Sequence, residues 1–306
     1  MMPTRIALAG IGKIARDQHV PTIAASPDFD LVATVTRGAG LPDVPNFATV
    51  AEMMAAGTDV AAIGVCTPPV GRLTLVSEAV AHGLDVLIEK PPAATLGEAE
   101  ALAAAARDAG RVLCASWHSR HAAAVAPARR WLAGKTVTSV RVVWREDVRL
   151  WHPGQAWIWE PGIGVFDPGI NALSIVTALL PGALVMRSSA LRFPANRAAP
   201  IAAMLRLDHV GALIDLDLAI DQTGPQTWDI EVTTDRGTLQ LSDGAACMAI
   251  DGMAHAVEAG TEYGGVYAHF ADLLRTRTSD VDLSPLRLIA DAFMLGRREI
   301  GKAFDD

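Results

Sequence analysis

The sequence predicts an α/β protein in two parts: a doubly wound parallel sheet, then an α/β domain with a largely antiparallel open sheet. Over residues 1–121 short β-type runs alternate with helical stretches, the grammar of a parallel sheet with helices on its faces. A glycine turn, Gly10-Ile11-Gly12, stands between the first strand run and the first helix. Beyond residue 121 the grammar changes, and from Leu184 to about Ile250 strand runs follow one another without helices between them, which favours antiparallel neighbours.

In order, Arg5 to Ala9 reads as a buried strand, followed by the glycine turn and a helix to about Ser26. Leu31–Thr36, Val60–Cys66, Asp85–Glu89 and Arg111–Ala115 supply four more strands, with helices at Thr49–Ala56, Gly71–His82 and Thr95–Ala109. Gly83 suits a left-handed helix cap, and Thr95 with Glu98 three residues on forms a capping box. Residues 122–306 are expected to form the second domain. There a helix at Ala122–Ala133 precedes a strand at Thr138–Val143, a Trp-, Gly- and Pro-rich loop to about Gly164, and a helix at Pro168–Leu180. Several β runs between Leu184 and Ile250 and closing helices at Gly265–Arg277 and Pro285–Lys302 complete the expectation.

The 306 residues are 51% hydrophobic and 20% charged, ordinary for a globular chain with a large core. A net charge of -8 argues against a nucleic-acid surface, which needs a dense positive footprint. Cys66, Cys114 and Cys247 are isolated, so neither disulfides nor a structural zinc site is expected, and a reducing cytoplasm fits best. The short apolar stretch after Arg5 breaks at Gly10, so no secretory leader or membrane span is expected. His118 and His121 lack a third ligand, so no metal is expected either.

Gly10, Gly12 and Ala15 make a G-x-G-x-x-A pattern with Lys13 and Ile14 inside it. The first glycine permits a tight turn, the second lets backbone approach a pyrophosphate, and the third small residue lets helix and strand pack closely. A helix N-terminus supplies N–H groups and partial positive charge to the phosphates. An acidic residue ending the second strand would bind the ribose 2′-OH of NAD. Here the strand ends Val35-Thr36-Arg37, a hydroxyl and a guanidinium with no carboxylate. NADP is therefore favoured, with NAD tolerated; a solvated loop charge is the alternative for Arg37.

Asp167 and Asn171 are four apart, hence one turn apart on one face of a helix. Lys90 follows a parallel strand, at the carboxyl end where open α/β sheets place ligands. Asp167 reads either as a reacting group or as the N-cap of its helix, and Asn171 either as a ligand group or as a buried helix residue. Trp144, Trp151, Trp157 and Trp159 crowd a polar loop; an aromatic ring with a polar handle suits the C–H face of a sugar, while each ring taken singly suits the core equally well. Glu146 and His152 in that stretch could bond sugar hydroxyls, and His118 stands after the fifth strand, well placed for a ligand but equally suited to a structural role.

Cys66-Thr67-Pro68-Pro69, Glu89-Lys90-Pro91 and Asp167-Pro168-Gly169-Ile170-Asn171, with the glycine turn, resemble the glucose–fructose oxidoreductase / inositol dehydrogenase family over almost the whole chain. The resemblance implies a Rossmann domain joined to an α/β domain whose open sheet mediates homodimers or homotetramers. It implies cofactor contacts from Gly10, Gly12, Lys13, Ile14, Ala15, Thr36, Arg37, Cys66, Thr67, Pro68, Glu89 and Lys90. That family commonly has D-x-x-x-H where this chain has Asp167-x-x-x-Asn171. The asparagine, and the run from Trp144 to Gln155, are similar to the aldose 1-dehydrogenase branch, which oxidises L-arabinose or D-galactose. On that resemblance Lys90 and Asp167 handle the proton and Asn171 orients the sugar hydroxyl, with Lys90, His118, Glu146, Trp151, His152, Asp167, Asn171 and Trp228 meeting the substrate. The product would be an aldonolactone. Oxidation of a polyol, inositol or dihydrodiol, or a non-catalytic NADP-binding regulator on the same fold, are the alternatives.

Overall fold

A computed structural model describes residues 2–305. In chain order its strands are β1 (Thr4–Ala9), β2 (Phe29–Val35), β3 (Asn46–Phe47), β4 (Ala62–Val65), β5 (Asp85–Glu89), β6 (Leu113–Ser116), β7 (Val137–Arg145), β8 (Val185–Pro194), β9 (Ala202–His209), β10 (Ala212–Ala219), β11 (Thr227–Thr234), β12 (Gly237–Ser242), β13 (Cys247–Ile250), β14 (Met253–His255) and β15 (Gly296–Gly301). The α-helices are α1 (Val20–Ala25), α2 (Val50–Ala55), α3 (Arg72–Ala81), α4 (Leu96–Asp108), α5 (Val125–Leu132), α6 (Val148–Trp151), α7 (Phe166–Leu179), α8 (Glu262–Thr276) and α9 (Ser284–Leu295). They fall into two compact units, one holding the chain through His118 plus Glu262–Leu283, the other Ser119–Thr261 plus the chain from Ser284 on.

In the first unit a six-stranded sheet runs β3-β2-β1-β4-β5-β6, with every pairing parallel. The strand order reverses beside β1, with β2 on one side and β4 on the other, so the loops after β1 and β4 diverge at a topological switch point. Strands β4 and β5 are buried at every position, as a sheet covered on both faces requires. The capping box holds: Glu98 N–H donates to Thr95 Oγ1 at 3.2 Å, and Thr49 caps α2 in the same way at 3.1 Å. Helical run 13–25 contains one π-helical turn, Ala15–His19, within which Ala15 and His19 are buried.

The division at residues 121/122 needs one correction. Segment 262–283, expected in the second domain, belongs to the first unit. Val266, Tyr267 and Phe270 of α8 lie in one core with Ile6, Leu8, Phe29 and Leu87. Phe29 stacks on Phe270 at 5.8 Å and meets Tyr267 edge-on at 5.2 Å. Past α8, Arg277 pairs with Asp85 at 2.6 and 3.0 Å, and Asp280 exchanges backbone hydrogen bonds with Leu113 and Ala115 on β6.

The second unit is a nine-stranded sheet in the order β14-β13-β12-β11-β7-β10-β9-β8-β15. It is largely antiparallel; only the β7–β10 and β8–β15 pairs run parallel. Strands β9 and β10 alternate, burying Ala203, Leu205 and Leu207 and Ile214, Leu216 and Leu218. Most of α7 is buried, and Gly169 brings its backbone so near β10 that a Cβ there would sit 3.0 Å from Leu218. The last helix, expected to reach Lys302, stops at Leu295, and the next residues form β15. A Cβ at Gly296 would lie 2.6 Å from the Ala292 carbonyl oxygen and 2.9 Å from Leu191, so the chain bends onto β8 where only glycine fits. The Trp-rich stretch is not bare loop: it carries α6 and a 3-10 turn at Ala156–Trp159. No helix among the described residues is long and apolar enough to cross a membrane.

Candidate functional site

The turn after β1 is stitched to both neighbouring strands: Gly10 N–H donates to Val35 O at 3.0 Å and Cys66 N–H to Ala9 O at 2.8 Å. Gly10 has φ +84°, and a Cβ there would sit 2.8 Å from Thr67 Cγ2, so no other residue fits. Gly12 is the opposite case. Nothing lies within 4 Å of the position its Cβ would take, which leaves open space over the first turn of run 13–25. First-turn N–H groups have no intrahelical acceptor, and such a cradle fits a dinucleotide pyrophosphate. Ala15 packs inward, whereas Ile14 and Lys13 are exposed, Lys13 pairing with Asp17. Cys66 is 8% exposed and joins the core, so its backbone rather than its thiol faces the turn.

Beyond β2, Thr36 N–H donates to Phe47 O at 2.9 Å and Thr36 Oγ1 accepts from Gly38 N–H at 3.1 Å. Arg37 is exposed on this loop. Sequence reasoning missed a second guanidinium: Arg16 donates to Ala39 O and Gly40 O at 3.2 and 3.1 Å, so it lies against the same loop. Its signal was its place in the turn of helix that follows the glycines.

The Glu89-Lys90-Pro91 segment leaves β5 with a cis peptide between Lys90 and Pro91. Glu89, expected among the cofactor contacts, turns its carboxylate inward and is 4% exposed. Its Oε1 accepts from Ser116 Oγ at 2.9 Å, Tyr263 OH at 2.8 Å and His19 Nε2 at 3.0 Å, and its Oε2 accepts the Lys90 N–H at 3.1 Å. His19 Nδ1 meets Tyr267 OH at 2.8 Å. Burial opposes ionisation of Glu89, but the bonds and charge of His19, with His118 and Tyr263, hold its carboxyl well below the usual range. Burial likewise opposes the imidazolium of His19, and its polar neighbours Cys66, Tyr267 and Glu89 outweigh burial and raise it. Burial pushes the Tyr267 hydroxyl up to about 12. From outside the network, buried Arg72 donates to the carbonyl oxygens of Thr67, Glu89 and Pro91, clamping both proline loops together. His118 bonds Glu262 through Nδ1 and stacks on Tyr263 at 5.3 Å, so it borders this network. Lys90 itself is half-buried.

In the second unit Asp167 sits in the first turn of α7, whose N-cap is Val165. Asp167 is therefore a first-turn residue of α7 and not its N-cap residue. Asp167 Oδ2 instead lies 3.3 Å from His152 Nε2. His152 Nδ1 approaches Gln155 Oε1 at 3.4 Å, the same oxygen that accepts from Trp157 Nε1 at 2.9 Å, which orients the imidazole. Asn171 follows one turn along the helix, half-buried. Trp228 Nε1 donates to Glu146 Oε2 at 3.1 Å, and Trp151 meets the Trp228 ring edge-on at 5.6 Å. The tryptophan cluster divides: Trp144 and Trp159 are core residues, 5% and 6% exposed, while Trp151 is 49% exposed. Among the described residues no three His, Cys, Asp or Glu side chains converge as metal ligands.

In the first unit a switch-point glycine cradle and a lysine at the end of β5 fit a dinucleotide, and in the second a His–Asp pair stands at the start of α7. Residues 4–116 match the model of the oxidoreductase family with an NAD-binding Rossmann fold. The chain is 48% identical over 307 residues to a galactose 1-dehydrogenase of Pseudomonas fluorescens, covering 100% of both sequences. The chain belongs to this oxidoreductase family, which is the glucose–fructose oxidoreductase / inositol dehydrogenase family. Its fold matches the crystal structure of a D-galactose-1-dehydrogenase from Rhizobium etli with TM-score 0.96, at 46% identity and covering 100% and 99% of the two chains. A variant 3-ketoreductase from Actinomadura kijaniata, solved with NADP, shares the fold at TM-score 0.84 and 18% identity, covering 98% and 99%.

Proposed function

We propose that this enzyme is an aldose 1-dehydrogenase that oxidises the anomeric C1 hydroxyl of D-galactose or L-arabinose to the aldonolactone, using NADP in preference to NAD. The observation that carries the reading is full-length likeness to a galactose 1-dehydrogenase at 48% identity. A bound NAD(P) would supply the hydride acceptor for C1. The chain's own residues manage the rest. Lys90 and Asp167 form the pair that handles the C1 hydroxyl proton, one of them accepting it as the C1–O bond becomes a carbonyl, and Asn171 orients that hydroxyl. His152 keeps the Asp167 carboxylate turned to one side. Thr36 and Arg37 receive the 2′-phosphate. The test is a panel of aldoses and polyols with NADP and with NAD, followed by the absorbance of the reduced nicotinamide. Turnover of D-galactose or L-arabinose is the expected outcome; a preference for polyols, or no turnover at all, overturns it.

Trp151 is the expected stacking surface for the sugar, held edge-on by Trp228, which Glu146 fixes in turn. Trp151→Ala should raise the sugar KM about 3- to 10-fold, the effect of losing roughly 0.5–1.5 kcal/mol of ring contact. Its melting temperature should hardly move, because the side chain contributes little to the core. A large stability loss with normal KM would make Trp151 a packing residue instead.

The same reading includes a homodimer or homotetramer formed through the sheet of the second unit. The exposed face of β9 and β10 supports it, with Met204 and Leu213 beside the Arg206–Asp215 pair at 2.8 Å. Three unpaired, scattered cysteines support a reducing cytoplasm.

A further inference from the structure

Lys90 follows Glu89, whose carboxylate accepts four hydrogen bonds, and the groups around it come from segments far apart in sequence. His19 arrives on the π-helical turn, Ser116 on β6, and Tyr263 and Tyr267 on α8. With Glu89 itself, all five side chains are at 4% exposure or less. Burying so many polar groups is costly unless each is bonded, and an apolar side chain would pack β5 more cheaply. The arrangement does one thing that an apolar residue cannot. With Oε1 engaged by three donors, the carboxylate has a single orientation, and its Oε2 then accepts the Lys90 N–H. Arg72 holds the carbonyls of Glu89 and Pro91 from the other side. The peptide that carries Lys90 is thus pinned at its N–H and at the carbonyls flanking it. Tyr267 adds a second tier: by bonding His19 Nδ1 it aims Nε2 at Glu89.

We propose that Tyr263 and Tyr267 of α8, acting through Glu89 and His19, are positioning residues that fix the Lys90 backbone for proton handling. The catalytic part of this inference rests on the reading of Lys90 given above; the positioning part does not. Fixing the reacting group costs nothing at the moment of reaction if its support is already rigid.

Two measurements test it together. The first is hydrogen exchange at the Lys90 amide, resolved to the single residue by fragmentation mass spectrometry on the full chain without substrate. Tyr263→Phe should speed that exchange about tenfold, and Ser116→Ala, which deletes a smaller group on the same oxygen, should speed it as well. The second is turnover: Tyr263→Phe should lower kcat about tenfold and Tyr267→Phe about threefold, with KM for sugar and cofactor within about twofold of wild type. On a Lys90→Ala background the Tyr263→Phe loss should disappear, because its effect passes through Lys90. Unchanged Lys90 exchange in both Tyr263→Phe and Ser116→Ala overturns the proposal, as does a kcat loss that persists in full on the Lys90→Ala background. If wild type oxidises no aldose, the functional reading fails, and the exchange result still decides whether the network holds Lys90.

Discussion

Lys90→Ala and Asp167→Ala should each lower kcat about 10²–10⁴-fold while leaving cofactor binding nearly intact, the signature of lost proton transfer rather than lost affinity. The two substitutions probe different supports. Lys90 follows the pinned Glu89 on β5, so truncating its side chain leaves the hydrogen bonds of the network untouched. Asp167 lies in the first turn of α7 and is not its N-cap residue, so a matched melting temperature is needed to read a kcat loss there as chemistry rather than folding. Stopped-flow turnover with matched cofactor titrations decides the matter. Near-normal turnover in either variant removes that residue from the reacting pair.

Arg37→Ala should raise the KM for NADP about 10- to 100-fold and leave that for NAD almost unchanged. A charge-assisted contact to a 2′-phosphate contributes roughly 1.5–3 kcal/mol, and each 1.4 kcal/mol is a factor of ten. NAD lacks the phosphate and so never used the contact. Arg16, tied to the Ala39 and Gly40 carbonyls, remains beside the loop and keeps the loss from being total. Thr36→Asp should penalise NADP further by repulsion. Both cofactors must be compared at one ionic strength, since salt screens an exposed contact. Equal losses for the two would give Arg37 a structural role, and a wild type that prefers NAD would overturn the assignment.

Local chemistry made most of the elements legible. Thr49 and Thr95 announced their helices through side chains that bond three residues ahead. Gly10 marked the turn because its backbone conformation and its contact with Thr67 admit nothing larger. What escaped depends on neighbours remote in sequence. The period of α8 shows a helix with one apolar face, but not that this face meets Ile6, Leu8 and Phe29. The four tryptophans look alike along the chain, yet Trp144 falls on an inward position of β7 while Trp151 stays out in solvent. Glu89 ends a strand buried on both faces, where alternation carries no sign of which way a carboxylate turns. His19 and Arg72 bear no motif at all; a faint clue to His19 was its place one helical turn after the inward-packing Ala15.

The return of segment 262–283 to the first unit sets the order in which a newly made chain can finish folding. Domains usually close one after another from the N-terminus as synthesis proceeds. Here β1 to β6 leave the ribosome before Val266, Tyr267 and Phe270 of α8, which complete the core around Ile6, Leu8 and Phe29. The second unit waits too, because α9 and β15 come later still. Neither half is complete before nearly all of the chain has been made, so cutting the gene between them would yield two sticky fragments rather than two modules.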